Sequence, residues 1–498
     1  MMRRSFGLLL CFAALELCAQ IHIGQGQPHA NIQSAAAVAQ PGDTIYVHAG
    51  TYAAYQYFNG LQGTPNAWIT IKRFGTDVHV IRGGWQFSTL RYVRFEGLDF
   101  RANATFPSTL VNLDNNGDCA LQSQHIVFDA CTFRDVSNSN SLKFGGVDDA
   151  EVMNCTFENN TSTGAGLALN VCHNIHVHDN HFEDINGKAV QTKLGTRYVL
   201  LERNFIRNCG NDDAALKIGE AGTLTFQCPG DNWLARDIKV HSNIIIGGRA
   251  SFAIGQAQDC EFVNNTCINP VQFVTRVLAD DPSFPCTGIV VRNNIFYLTQ
   301  TIYFNGTQAS GNNIDYATHL YANNLFFRST TPAWQGPDPL AGVYDAEEIA
   351  GTIFQSNLAG DPQFVDLAGA DVNVLATSPA IGAGASITEP ALDFFGNTFG
   401  NPRSIGAVEG GISTGLLARG NSELLFLHPV PATDQVVIIT PGSGPAHVIV
   451  HDAQGRMIMQ FSSLGPRSVL AVGTWPSGLY FVEARVGVER LIGRLVKE

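Results

Sequence analysis

The chain is predicted to be all-β, with a main body coiled from parallel strands. Three observations lead there. First, short segments end on nearly the same line: CTF at 131–133, CTF at 155–157, NHF at 180–182, NFI at 204–206 and NNTC at 264–267. Phe133, Phe157 and Phe182 lie 24 and 25 residues apart, and Phe205 follows 23 later. A repeat of roughly 20–30 residues marks a solenoid. Second, the runs between these segments are extended in type and split by Gly, Asn and Asp, so strands build each turn. Third, 498 residues exceed one ordinary core, whereas a solenoid escapes that limit because every turn buries its face on the next.

Taken in order, Arg3 and Arg4 precede an apolar stretch from Phe6 to Leu17 and then Cys18-Ala19-Gln20. This reads as a secretory signal, residues 1–19, too short to span a membrane. No other stretch reads as transmembrane. Asn31 is placed to cap a short helix running to about Ala39, which would shield the open edge of the first coil. Pro41-Gly42-Asp43 then turns into a strand, Thr44 to His48. Successive turns follow to about residue 328. In HNIHVHDNHF (173–182) and RYVLLERNF (197–205) apolar residues alternate, which sends Ile175, Val177, Val199 and Leu201 inward. Asn154, Asn180 and Asn204 mark a bend where an internal Asn stack can bond the curved backbone from rung to rung. Two turns carry insertions, 224–237 and 278–288, of the kind that rise from one face and line a binding site. Residues 410–422 form a Gly- and Ser-rich linker. Beyond it, 423–498 alternates in short strands joined by Asp, Gly and Pro turns and suits a small antiparallel β-sandwich.

The formal charge is −13, and no basic run of five or more occurs. This argues against nucleic acid, but not against an acidic glycan, which needs only a local patch. Nine of the eleven cysteines remain after the signal, so at least one is unpaired. Cys131 and Cys155 are read as stacked in one column, bridged or as buried thiols. No close CxxC pair suggests zinc. His173, His176, His178 and His181 carry metal-binding chemistry. However, His176 and His178 share the parity opposite to Ile175 and Val177, which reads as a solvated strand face.

The repeat, the start PGDTIYVHAGTY (41–52) and the end SPAIGAG…IGAVE (378–409) resemble secreted right-handed, single-stranded parallel β-helix proteins of the pectate-lyase-like superfamily, over roughly residues 20–409. That superfamily holds polysaccharide lyases, glycoside hydrolases, uronan epimerases and proteins that only bind. HPVPATDQVVI (428–438), HDAQGRMI (451–458) and WPSGLYFVEA (475–484) resemble the C-terminal sorting domain of the type IX secretion system of Bacteroidetes. This implies export by that machinery and a secreted or outer-membrane-attached location; separately, the chain is expected to be a monomer facing an acidic polysaccharide.

Lys143 and Lys193 lie 11 residues before Asn154 and Asn204, and Leu169 lies 11 before Asn180. Lys217 shares the Lys-x-Gly pattern. The alignment therefore predicts one outward column of Lys143, Leu169, Lys193 and Lys217. Clustered ammonium groups lower a lysine pKa toward that of a usable base. Arg197 could clamp a carboxylate, Arg276 sits further along the wall, and Trp233 either stacks on a sugar or pins its loop. This set suits β-elimination of a uronate polymer, with Lys193, Arg197 and Lys217 catalytic and Lys143, Trp233 and Arg276 binding substrate. A solvated edge is the plainer reading of the same lysines. The stretch 188–205 is similar to the active rungs of alginate-lyase and chondroitinase-B-like β-helix enzymes, which implies Lys as base, Arg beside it and Ca2+ on the carboxylate. Asp212, Asp213 and Glu220 are the oxygen ligands available. NDDAALKIG (211–219) also resembles the Asp-Asp rung of polygalacturonase-like hydrolases, which would make Asp212 and Asp213 the carboxylates of an inverting mechanism.

Overall fold

The computed structural model describes residues 18–497 except 76, 103–107, 279–280, 306–312, 338–348, 350, 369, 413–424, 429–431, 433, 441–445, 453–455, 464–466 and 487–488. Most of the signal segment, most of the linker and parts of the 428–438 and 451–458 motifs fall outside the described residues.

Three parallel walls wind around one core. A representative turn runs Leu142–Gly145 on the first wall, Val147–Met153 on the second and Thr156–Asn160 on the third, then returns to Leu167–Asn170 on the first. Among the described residues the walls hold ten, fourteen and twelve strands. The helix Ile32–Ala36 closes the first end, and Asn31 caps it by accepting from the Ser34 N–H at 2.9 Å. It stops short of Ala39, and it buries Ile32 and Ala35 in the same core.

Inside, Phe100, Phe133, Phe157 and Phe182 stack with ring centroids 5.2, 4.7 and 4.6 Å apart. Ile175, Val177, Val199 and Leu201 are all interior. Phe205 does not continue the stack. The register pairs Phe182 with Ile206 and His181 with Phe205, so Phe205 points outward, its ring 5.1 Å from that of His181. There it packs with Ile244, Ile268, Phe394, Ala407 and Val408. Residues 394–408 thus fold back over the third wall, and Asn264 secures them by donating to the Ser404 and Gly406 carbonyls at 2.9 Å.

The Asn ladder runs Asn180, Asn204, Asn243, Asn265, Asn294, Asn324 and Asn357. Each side-chain N–H donates to the next Oδ1 at 3.0 Å. Asn154 is not a member. The Cys155 N–H donates to Asn180 Oδ1 at 2.9 Å, so Cys155 fills the ladder position one coil earlier. Asn154 instead precedes the bend with φ 53°, as Asp179 and Arg203 do with φ 58° and 50°. Of the cysteines, Cys119 and Cys228 form a disulfide, and those from Cys131 to Cys286 other than Cys228 are buried thiols. Among the described residues the C-terminal unit has antiparallel sheets of three and four strands around its own core, which includes Val436, Val448, Val450, Val482 and Leu495.

Candidate functional site

The outward face of the first wall is set by alternation. Leu142, Phe144, Val190, Leu216 and Ile218 turn inward, so Lys143, Gln191, Lys193 and Lys217 turn out, and an irregularity that skips Gly219 sets Glu220 opposite Lys193. The register corrects the predicted column. Lys143 pairs with Ala168, Ala168 with Gln191, Gln191 with Lys217, Lys217 with Ala253 and Ala253 with Arg276. Lys193 belongs to the next outward column, between Asn170 and Glu220. Leu169 is interior. Two one-residue differences produced the error. Cys155, not Asn154, is the ladder residue, and Lys193 to Arg197 takes four steps where Asn170 to His173 takes three. Together they shift the alignment by one side-chain repeat, which keeps Lys193 outward.

Two groups of charge result. At the start of the strands, Asp213 is 9% exposed and lies between Lys217 and Arg276. Its Oδ2 is 2.9 Å from Lys217 Nζ, and its Oδ1 accepts from Arg276 Nη1. Lys188 Nζ is 3.1 Å from Asp212 Oδ2. Arg249 Nη1 donates to the Asp212 carbonyl at 2.9 Å. Lys188, Arg249 and this anchoring role were not read from the sequence. Lys188 lay in view in KAVQTK, but nothing local shows that a lysine two residues from a strand will turn back to the next coil's Asp.

At the strands' far end, Lys193 forms no ion pair or hydrogen bond through its ammonium among the described residues; Lys143, in the Lys217 column, forms none among them either. Burial lowers the Lys193 pKa below that of an ordinary lysine. The Glu220 carboxylate opposes this, and Lys143, Lys188 and Lys217 reinforce it. The acceptors flanking Lys193, Asn170 Oδ1 and Glu220 Oε2, are buried without partners.

The insertion 224–237 forms one rim of this face. Cys228 is joined to Cys119, and Phe226 lies against Gly117, so the segment runs from the Lys217 coil back to the coil of Val111–Asp114. With rungs about 4.8 Å apart, that is a strap of about 19 Å along the corner between the first and second walls. Trp233 pins it by donating from Nε1 to the Gly195 carbonyl at 3.2 Å. Arg197 and Arg236 each lie 5.5 Å from its ring, and the indole is 9% exposed, so the strap uses it as a peg. Arg197 therefore stands on the second wall at the rim, one turn from Lys193, and its Nε makes no hydrogen bond.

Asp212, Asp213 and Glu220 do not form a calcium cage. Both Asp213 oxygens and one of Asp212 already meet cations, and Glu220 stands in the other column beside Lys193. A hard divalent ion needs six to eight converging oxygens.

Among the described residues no helix is long and apolar enough to cross a membrane. Residues 93–267 match a family model described as a right handed beta helix region. No curated protein matches the chain. Among solved structures it is similar to an alginate lyase from Paenibacillus sp. str. FPU-7, with 15% identity over 59% of this chain and 99% of that one and a TM-score of 0.40. It is similar to the catalytic unit of a thermostable GH87 alpha-1,3-glucanase from Streptomyces thermodiastaticus strain HF3-3, with 13% identity over 66% of this chain and 64% of that one and a TM-score of 0.42. It is also similar to a PL6 family polysaccharide lyase from Pseudopedobacter saltans, with 12% identity over 69% of this chain and 92% of that one and a TM-score of 0.36. The matched family model and the parallel pairing of coil on coil make the body of this chain a right-handed parallel β-helix.

Proposed function

We propose that this protein is an extracellular lyase that cleaves a uronic-acid-containing polysaccharide by β-elimination on the outer face of the first wall. One observation carries the reading: Lys193 is an outward lysine, unpaired among the described residues, whose pKa is lowered by burial and by three neighbouring lysines against the pull of Glu220. In its neutral form it takes the C5 proton of a uronate. The electron pair of that C–H bond forms the C4=C5 double bond, the C4–O bond breaks, and the departing oxygen takes a proton from the Lys193 ammonium so formed or from water. Lys143 and, from the rim, Arg197 supply positive charge to the substrate carboxylate, which makes the C5 proton acidic. Lys217 and Arg276, held by Asp213, contribute field at the strand starts. No step runs through calcium.

An inverting hydrolase is disfavoured by one specific feature. Each oxygen of Asp213 is already engaged by a cation, Lys217 or Arg276, which ties this carboxylate into the wall instead of presenting it to a glycosidic oxygen. An epimerase would take the same proton and return it to the opposite face, leaving no double bond. Incubation with alginate, pectate, glycosaminoglycans and neutral glycans separates these readings. Ultraviolet absorbance from a new double bond on a uronate polymer supports the lyase, reducing ends without it support a hydrolase, and altered uronate stereochemistry without cleavage supports an epimerase. We further read residues 423–498 as an export address for type IX secretion. Deleting them should leave the β-helix inside the cell envelope, and normal release of the truncated chain would overturn that reading.

A further inference from the structure

The second wall carries a cluster that the lyase reading does not use. Glu151, on Val147–Met153, and His176 and His178, on His173–His178, project outward from neighbouring coils. Glu151 is in register with His176. One ligand atom from each of the three lies within 4.8 Å of the others. His178 Nε2 is 2.8 Å from Glu151 Oε1, and His176 Nδ1 is 4.0 Å from the same oxygen. The two rings sit 4.0 Å apart, centroid to centroid.

Each ring's other nitrogen faces a second carboxylate. His178 Nδ1 is 2.6 Å from Asp179 Oδ2, and His176 Nε2 is 3.0 Å from Glu202 Oε1. Arg203 holds both of these carboxylates. Its Nε and Nη2 donate to Asp179 at 2.9 and 3.0 Å, and its Nη1 donates to Glu202 at 2.6 Å. Two imidazoles and a carboxylate therefore converge from outside, and behind them two further carboxylates on a single arginine set the ring orientations. The facing side chains of Glu151 and His176 are 37% and 36% exposed, whereas Asp179, Glu202 and Arg203 are 13–14% exposed. The cluster is open to an arriving ion and closed behind.

We propose that Glu151, His176 and His178 form a site for one divalent transition-metal ion of the Zn2+ class. The donor set is the reason. Imidazole nitrogens with one carboxylate suit Zn2+, Co2+ and Ni2+, while Ca2+ takes oxygen alone. A metal-bound imidazole is held by a carboxylate on its other nitrogen, and both rings here have one. The separations of 2.8 and 4.0 Å bracket the edge of a tetrahedron with bonds of about 2.0–2.1 Å, roughly 3.4 Å, so small side-chain rotations bring the ligands into place. Three protein ligands leave a fourth position for water or an incoming ligand. Binding would also clamp two successive coils on a wall separate from Lys193, so the proposal does not depend on the lyase reading.

The test uses the full secreted chain without a histidine tag, stripped with chelator and titrated with Zn2+ by calorimetry and with Co2+ by visible absorbance. The expected result is one equivalent bound with proton release, and d–d bands of a four-coordinate cobalt ion. H176A and E151Q should each weaken binding by at least about tenfold. The chain has another close imidazole pair, His22 Nδ1 and His48 Nε2 at 2.8 Å, so H48A should leave binding unchanged. H176A and E151Q alter half-exposed side chains, and circular dichroism confirms that these variants fold. The absence of binding to the wild-type chain, stoichiometric binding retained in both variants, or loss only in H48A would each overturn the site.

Discussion

Lys193 and Lys217 stand on adjacent strands of one wall but out of step: Lys217 is in register with Gln191, and Lys193 with Glu220. The difference divides their roles. Lys217 is 4% exposed and bound to Asp213, whereas Lys193 keeps an unpaired ammonium.

If Lys193 is the base, Lys193→Met should reduce turnover on a uronate polymer by about 10²–10⁴-fold with the fold intact. The rate of the parent enzyme should rise with pH as Lys193 loses its proton, at a pH below that of a free lysine. A pH–rate profile measured beside circular dichroism checks both. Undiminished turnover in Lys193→Met would end the assignment.

Asp213→Asn should destabilise the coil more than it affects substrate binding. It removes the carboxylate between two cations in a nearly closed site, a change that typically costs about 3–5 kcal/mol. Asp212→Asn, with a single Lys188 pair and a carboxylate 25% exposed, should lose less. Denaturant midpoints of the two variants give the ranking.

Asn265→Ala should cost on the order of 3 kcal/mol. It removes the acceptor for the Asn243 backbone and side-chain N–H groups and the donor to the Val240 carbonyl, all of them buried. Asn180→Cys should lose less than half of that, because Cys131 and Cys155 already occupy the equivalent corner. Thermal melts of the pair test the contrast.

His319 predicts an acid weakness. Burial lowers its pKa to about 4, against the pull of the Cys286 backbone and Asp315. The folded chain therefore keeps this ring neutral where the unfolded chain has begun to take up a proton. Stability should fall as pH drops from about 6.5 toward 4 and level off below. His319→Gln should flatten that slope in denaturation curves taken across the window.

The coil was legible because its period is carried by residues with one structural job each: Phe at 133, 157 and 182, and Asn at 180 and 204. The site was less legible because register on a β-coil depends on turn lengths, which leave little trace in composition. Asn154 beside Cys155 and the extra residue between Lys193 and Arg197 were enough to misplace the lysines. The partners were invisible for a related reason. Lys188 and Asp212 are 24 residues apart, as are Asp179 and Arg203, and only stacking brings them together. The same holds for Glu151 and His176, because parity had placed only His176 and His178, on a plain solvated face, and gave no sign of their carboxylate partner.

The strap's anchor carries one more consequence. Cys119 and Cys228 lie 109 residues apart in sequence, so an unfolded chain brings them together only at a cost in entropy, whereas the stacked coils hold them side by side. Formation of this bond is therefore favoured by successful winding. Labelling unreacted thiols during folding would distinguish chains that have completed those turns from chains stalled anywhere along them.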